Sequence, residues 1–424
     1  MAEAKKKEKK SRWRRRALIG LGVVGVSVPA LWYAIHEVPG FGPAVADGIR
    51  AVVGPGVVAW AEDTAYDLQD RYDRWRYQDA KPKTFWEAPP ASASAPVAVA
   101  PSAVSTTDTG GRPPAVASGA PSAAPAAPAA EGDFPPPSFA PPVPAVATEG
   151  DGTWIAVKDE ASGDQAPLMY KSVVHPDPKR NFAAVAVVAV DLKRVDLHLV
   201  AGSQEPGQSK VPAERRPGVV PKAALPDLVA AFNGGFKEIH GHWGMMLDGE
   251  TYVVPRDVGC TVSLYKDGAL RIRTWPAVKD DEPKLAFYRQ TPPCLVEQGK
   301  INNTLETTEY SKNWGATVSG DTVIRRSAIG LDKSGRVLFY GLGEAMTAQA
   351  LSRAMRAVGA EDAAQLDVNY SYPRFLFFTR GTGEETPHVS APIIPGIKYQ
   401  KTEYVGGAEV RDFFYLTRRR PSPS

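Results

Sequence analysis

Apolar positions change their spacing along the chain, and each change marks a different kind of segment. Residues 17–35 form an unbroken run of 19 uncharged residues, about what a helix needs to cross the hydrocarbon core of a bilayer. Trp32 and Tyr33 fall near its far end, where amphipathic rings favour the membrane interface. From Val57 and Trp60 through Tyr66, Leu68, Tyr72, Trp75 and Tyr77, apolar and aromatic residues recur at helical spacing among charges. That pattern predicts an amphipathic helix that lies on a membrane surface, pairs with a partner or serves as a plain stalk. Gly54-Pro55-Gly56 argues against a second membrane span.

Beyond Thr153 the period shortens to that of strands. Residues 182–190 are continuously apolar, and 195–200 alternate. The runs 262–265 and 270–275 flank Lys266-Asp267-Gly268 and predict a hairpin. A second strand–turn–strand runs from 327–331 through Asp332-Lys333-Ser334-Gly335 to 336–340. One helix is predicted over 347–358, with Ala350, Leu351, Ala354, Met355 and Val358 on one face, Thr347 at its start and Gly359 just past its end. A short strand then delivers Asp367. The expected class is α+β or mixed α/β: a large, mostly β-sheet core with a few flanking helices.

Composition separates these blocks. Residues 88–149 are dominated by Ala, Pro, Ser and Val, a mixture that cannot bury enough apolar surface to fold and predicts an extended linker. The formal net charge of +3 conceals a basic end: residues 1–16 carry nine Lys/Arg against two Glu, a local +7, leaving −4 for the remainder. The folded part therefore has little of the basic surface that nucleic-acid binding needs. The expected organisation is a basic tail (1–16), a transmembrane anchor (17–35), a juxtamembrane helical segment (36–87), a linker (88–149) and a distal domain (150–424). The positive-inside rule places the N-terminus in the cytoplasm and the distal domain outside it. Processing after Val28-Pro29-Ala30, as in a cleaved signal, exports the same domain. In an exported domain, Cys260 and Cys294 become candidates for a disulfide, with two separate buried thiols as the alternative.

Two clusters carry candidate chemistry. In the first, an apolar strand runs into Asn233-Gly234-Gly235-Phe236. Consecutive glycine amides there can line an anion-binding nest, although Asn-Gly is also a common hairpin turn. His240 and His242, two residues apart, are further substrate-binding candidates and admit acid/base work or a divalent metal; with no third ligand in the pattern, no cofactor is predicted. The second cluster runs from Arg326 through the predicted helix to Asp367, a carboxylate at a strand end.

In their order these elements resemble the phosphodiester glycosidase family. The resemblance rests on Asn233-Gly234-Gly235-Phe236, Asp248-Gly249, Arg326 with Ala328-Ile329-Gly330, Asp332 with Gly335, Gly359-Ala360 and Leu366-Asp367, and it covers most of residues 180–375. It implies hydrolysis of a sugar phosphodiester or related glycoconjugate. Asn233, Gly234 and Gly235 would then hold substrate, Arg326 would offset phosphate charge, and Asp367 would be acid/base or nucleophile, with Asp248 a lesser candidate. The chain departs from the family where Leu-Asp is followed by glycines: here Val368-Asn369-Tyr370-Ser371-Tyr372 follows. Asn369 becomes a substrate-binding candidate, and the bulkier turn raises a rival expectation. That rival is a non-catalytic envelope protein binding a glycan or partner through Trp243, Trp314, Tyr370, Tyr372 and Phe375, rings whose plainer role is core packing.

Overall fold

The computed structural model describes residues 55–82, 84–87, 134–158, 166–306, 314, 322–381 and 383–420. The predicted tail and anchor lie outside these residues. Among the described residues no helix is long and apolar enough to cross a membrane.

Strands dominate, as expected. The first ten in chain order are β1 (Ile155–Ala156), β2 (Met169–Val174), β3 (Val185–Asp191), β4 (Val195–Val200), β5 (Leu228–Asn233), β6 (Met245–Leu247), β7 (Glu250–Val253), β8 (Cys260–Tyr265), β9 (Leu270–Thr274) and β10 (Leu285–Thr291). There follow β11 (Val296–Glu297), β12 (Lys300–Ile301), β13 (Ile324–Asp332), β14 (Val337–Met346), β15 (Ala360–Val368), β16 (Phe375–Thr379), β17 (His388–Pro392) and β18 (Phe413–Arg418). Helix α1 spans Pro55–Arg76 and α2 spans Ala348–Ala357.

Three sheets result. An eight-stranded sheet runs β1-β2-β3-β14-β13-β15-β11-β12, and two five-stranded sheets run β17-β16-β5-β18-β4 and β7-β6-β10-β8-β9. The continuous apolar run of β3 reflects burial on both faces. Ala186, Val188 and Val190 join Phe232, Phe375 and Phe414 in the main core, while Val185, Val187 and Ala189 pack with Leu351, Ala354 and Met355 of α2. Thr347 caps α2 by accepting a hydrogen bond from the Ala350 amide at 3.1 Å. Gly359, just beyond the helix, takes φ +95°, a value that disfavours any side chain.

The hairpin around Lys266-Asp267-Gly268 pairs Cys260 with Thr274 and Leu264 with Leu270. A disulfide joins Cys260 of β8 to Cys294 just after β10, closing a separation of 34 residues. Loop closure of that order constrains the unfolded chain by about 2–4 kcal/mol. Thermal unfolding of Cys260→Ala/Cys294→Ala is therefore expected to show a stability loss of about that size, also seen when the wild type is reduced.

The folded part starts earlier than composition indicates. Residues 134–149 were expected in the linker, yet they pack on the domain. Phe134 meets Tyr170 edge-on at 5.4 Å, and Phe139 meets Trp154 at 5.8 Å. The Phe139 amide donates to the Gly152 carbonyl at 3.2 Å. The two phenylalanines supply the apolar surface that the surrounding Pro/Ala sequence lacks.

Nor is the later part of α1 a bare stalk. Arg180 grips Asp70 through Nε at 2.7 Å and Nη2 at 2.8 Å, and Asn181 Nδ2 donates to the carbonyls of Tyr77 and Ala80. Leu68, Tyr72 and Trp75 remain exposed on the other side of the helix.

Candidate active site

Antiparallel register brings the N-terminal end of β13 beside the C-terminal ends of β14 and β15: Ile324 lies opposite Met346, and Arg326 opposite Val368. Asp367 therefore sits at one end of the large sheet. Its backbone amide donates to the Gly234 carbonyl at 3.2 Å, which ties the second sequence cluster to the first.

Asp367 is buried. Its Oδ2 receives Arg411 Nη1 at 2.5 Å and Asn369 Nδ2 at 2.7 Å. Burial pushes the Asp367 carboxyl up, the Arg411 charge offsets that only in part, and the nearby Asp412 adds to the rise. Arg411 lies over the Tyr372 ring at 4.1 Å and donates through Nη2 to the Gly235 carbonyl, while its Nε is buried without a hydrogen-bond partner.

Asp412 is the neighbour that sequence reasoning missed. Its Oδ2 accepts from the Gly235 amide and Arg289 Nε, both at 2.9 Å, and its Oδ1 accepts from Arg289 Nη2 at 3.2 Å. Its backbone carbonyl accepts from the Gly234 amide at 3.0 Å and from the Tyr372 hydroxyl. Burial alone would raise the Asp412 carboxyl; the Arg289 charge, its hydrogen bonds and the Gly235 amide outweigh it, so the net shift is downward. Two neighbouring carboxyls thus have their pKa values pushed apart, a pattern typical of acid/base sites.

The glycine pair is required, but for a different reason from the one expected. A Cβ on Gly234 would stand 2.2 Å from Asp412 Oδ2, and one on Gly235 would stand 2.6 Å from Arg289 Cζ. The two amides that sequence reading offered to a substrate anion instead bind Asp412 of the chain itself, Gly234 its backbone carbonyl and Gly235 its carboxylate. Gly235→Ala is expected to cost about 1–3 kcal/mol through this overpacking, measurable as a lower denaturant midpoint.

Asn233 is likewise a buried strut. Its Nδ2 donates to Ser327 Oγ at 2.9 Å, and its Oδ1 accepts from the Tyr340 hydroxyl at 2.7 Å and the Arg374 amide at 3.2 Å. Arg326 is fully buried: Nε donates to the Met346 carbonyl, Nη2 to the Thr322 carbonyl, and Nη1 to the Trp314 carbonyl and Gln365. These four hydrogen bonds go to oxygens of the chain itself. Asn369 lies at the site and also organises the loop, its Oδ1 accepting from the amides of Ser371 at 2.9 Å and Tyr372 at 2.6 Å.

Three other candidates lie elsewhere. Asp248 is an exposed turn residue between β6 and β7, with φ +51°. His240 and His242 are exposed on the loop after β5, and His242 Nδ1 is 3.9 Å from Glu238. No group of three or more metal-ligating side chains occurs among the described residues. Trp243, Trp314, Tyr372 and Phe375 are buried, so of the rings proposed for sugar stacking only Tyr370 is exposed.

Residues 226–368 match the phosphodiester glycosidase family. The matched span holds Asn233, Gly234, Gly235, Arg289, Arg326 and Asp367, whereas Arg411 and Asp412 follow it. Among solved structures the chain is similar to the zebrafish N-acetylglucosamine-1-phosphodiester alpha-N-acetylglucosaminidase catalytic domain, auto-inhibited by its pro-peptide. That match has 16% identity and a TM-score of 0.40, covering 63% of this chain and 88% of that one. A hypothetical protein from Synechocystis matches at 10% identity and TM-score 0.37, covering 60% of this chain and 64% of that one. An exported protein described as putative from Burkholderia pseudomallei matches at 11% identity and TM-score 0.30, covering 55% and 74% respectively. No curated protein is similar enough in sequence to match.

Proposed function

We propose that this protein is an extracytoplasmic hydrolase of sugar phosphodiesters or related glycoconjugates, tethered through residues 17–35, with Asp367 as its catalytic carboxylate. The family match over 226–368 supports the reaction class. The observation that carries the residue assignment is Asp367 itself: a buried carboxyl with a raised pKa, at a strand end, beside an arginine with an unpartnered buried N–H. The Cys260–Cys294 disulfide suits an oxidising compartment outside the cytoplasm.

In this reading Asp367 is the general base. A phosphate monoester, whose last proton has a pKa near ~6, leaves without full protonation; what needs activating is the water. Asp367 takes a proton from the water as its oxygen bonds to the anomeric carbon, and the bond from that carbon to the phosphate oxygen breaks. Phosphate departs with the bonding pair, and the proton passes from Asp367 to solvent. Arg411 faces the developing phosphate charge.

Activity should therefore fall as pH drops through the raised Asp367 pKa, because protonation removes the base. Asn369→Asp keeps an acceptor for the Ser371 and Tyr372 amides but replaces the donor to Asp367 with a second carboxylate. The acidic limb of kcat/KM is expected to move to higher pH in that variant; an unmoved limb would argue against Asp367 as base.

One observation favours a second reading, a glycan-binding protein without turnover. The Gly234 and Gly235 amides are filled by Asp412 and thus unavailable to a substrate oxygen. An assay of sugar release from a panel of sugar-1-phosphodiesters separates the two readings.

A further inference from the structure

A cavity of about 580 Å³ opens at the end of the large sheet that carries Asp367. Its inner wall is formed by Tyr370, three residues beyond Asp367 on the same turn, and by Glu344 near the end of β14. Its outer wall is the docked side of α1 and the turn after it, which contribute Tyr66, Asp73 and Tyr77, with Phe182 closing one side. None of these residues takes part in the Asp367–Arg411–Asp412–Arg289 network.

The walls combine two kinds of surface. Tyr66 and Tyr370 form a tilted ring pair with centroids 5.8 Å apart, and Tyr77 and Phe182 form another at 5.4 Å. Between them stand carboxylates of unequal character. Asp70 is tied to Arg180, and Glu344 to Arg325 at 3.1 Å. Asp73 stands beside Asp70, and burial together with that neighbour pushes its carboxyl up, against the pull of Arg76. The volume lies within the ~300–1,000 Å³ of small-ligand sites.

Aromatic faces accept the apolar C–H face of a sugar ring, and carboxylates accept hydrogen bonds from its hydroxyls. The lining holds three carboxylates, Asp70, Asp73 and Glu344, against one cation, Lys81, a balance that disfavours a carboxylate or phosphate on that ring. We propose that this cavity is a subsite for a non-anionic pyranose, placing the sugar of the substrate against Tyr370 and Asp73 while the phosphate lies toward Arg411. The assignment to substrate rests on the hydrolase reading above; the sugar preference of the cavity does not.

The test is ligand-observed NMR on the full chain in detergent, in the Asp367→Asn background, with methyl α-glucoside and methyl α-glucuronide as probes. The glucoside is expected to bind and the glucuronide to bind at least tenfold more weakly. Tyr370→Ala is expected to weaken the glucoside about tenfold, the equivalent of ~1.4 kcal/mol, and Tyr370→Phe to restore it with an unchanged melting temperature. Asp73→Asn should narrow the gap between the two probes. Equal binding of the two sugars by the parent chain, or glucoside affinity unchanged in Tyr370→Ala, overturns the subsite. If the wild type hydrolyses no diester but Tyr370→Ala still loses the glucoside, the hydrolase reading fails and the subsite stands. If turnover is present and its KM ignores Tyr370→Ala, the reverse holds.

Discussion

Asp412→Asn is expected to lower the free energy of unfolding by about 3–5 kcal/mol. The change is nearly isosteric, so no cavity contributes. It removes the charge that Arg289 faces through Nε and Nη2, and Arg289 is 1% exposed. Its remaining bonds run to the carbonyls of Trp243, Phe236 and Gln290, which leave its charge without a counterion. An uncompensated buried guanidinium is the costly outcome of breaking such a pair. The wild-type carboxyl is held below its ordinary value, so its contribution is present above the unfolded pKa and is lost as pH falls through the folded one. Chemical denaturation at neutral pH should show a lower midpoint with an unchanged m-value. A loss under 1 kcal/mol at neutral pH would contradict the structural role given to this ion pair.

Asp367→Asn is expected to reduce turnover by about 10²–10⁴-fold, the usual contribution of a positioned general base. The amide keeps the volume of the carboxyl and one oxygen for the Asn369 and Arg411 donors, so the fold should survive. Stability carries its own signature. The wild-type Asp367 pKa is raised, so the native state binds its proton more tightly than the unfolded chain does. Stability associated with that proton is full below the unfolded pKa and is lost as pH rises through the folded one. The variant has no such proton, and this part of the pH dependence should vanish from its melting curve. Circular dichroism together with single-turnover assays would check both effects. A variant that retains wild-type turnover would remove Asp367 from the mechanism.

Much of the β architecture was legible because its patterns are local. The hairpin at Lys266-Asp267-Gly268 and the capped helix after Thr347 each announce themselves through turn residues and period. Residues 134–149 were misread because average composition hides Phe134 and Phe139, whose burial ties that stretch to the domain.

At the site, Asp367 stood out as a carboxylate at a strand end. The partners that define its environment did not. Arg289 and Asp412 are 123 residues apart, and nothing local pairs them. The one available clue was Arg411-Asp412, a charged doublet directly before the apolar strand of Phe413 and Phe414. Asn233, Gly234, Gly235 and Arg326 were singled out as substrate-binding candidates. Their side chains and amides, however, satisfy buried groups of the chain, and that distinction depends on long-range packing rather than on motif. The sequence also gave no sign of the cavity, because Tyr66 and Tyr77 meet Tyr370 and Phe182 only in the folded molecule.

The most direct test of the hydrolase reading is NMR observation of the full chain acting on alkyl sugar-1-phosphates, with the Asp367→Asn variant alongside. The account predicts release of free sugar and alkyl phosphate by the wild type, and loss of that release in the variant. Intact diesters across the panel, with sugar binding retained, would contradict it and leave a glycan-binding protein.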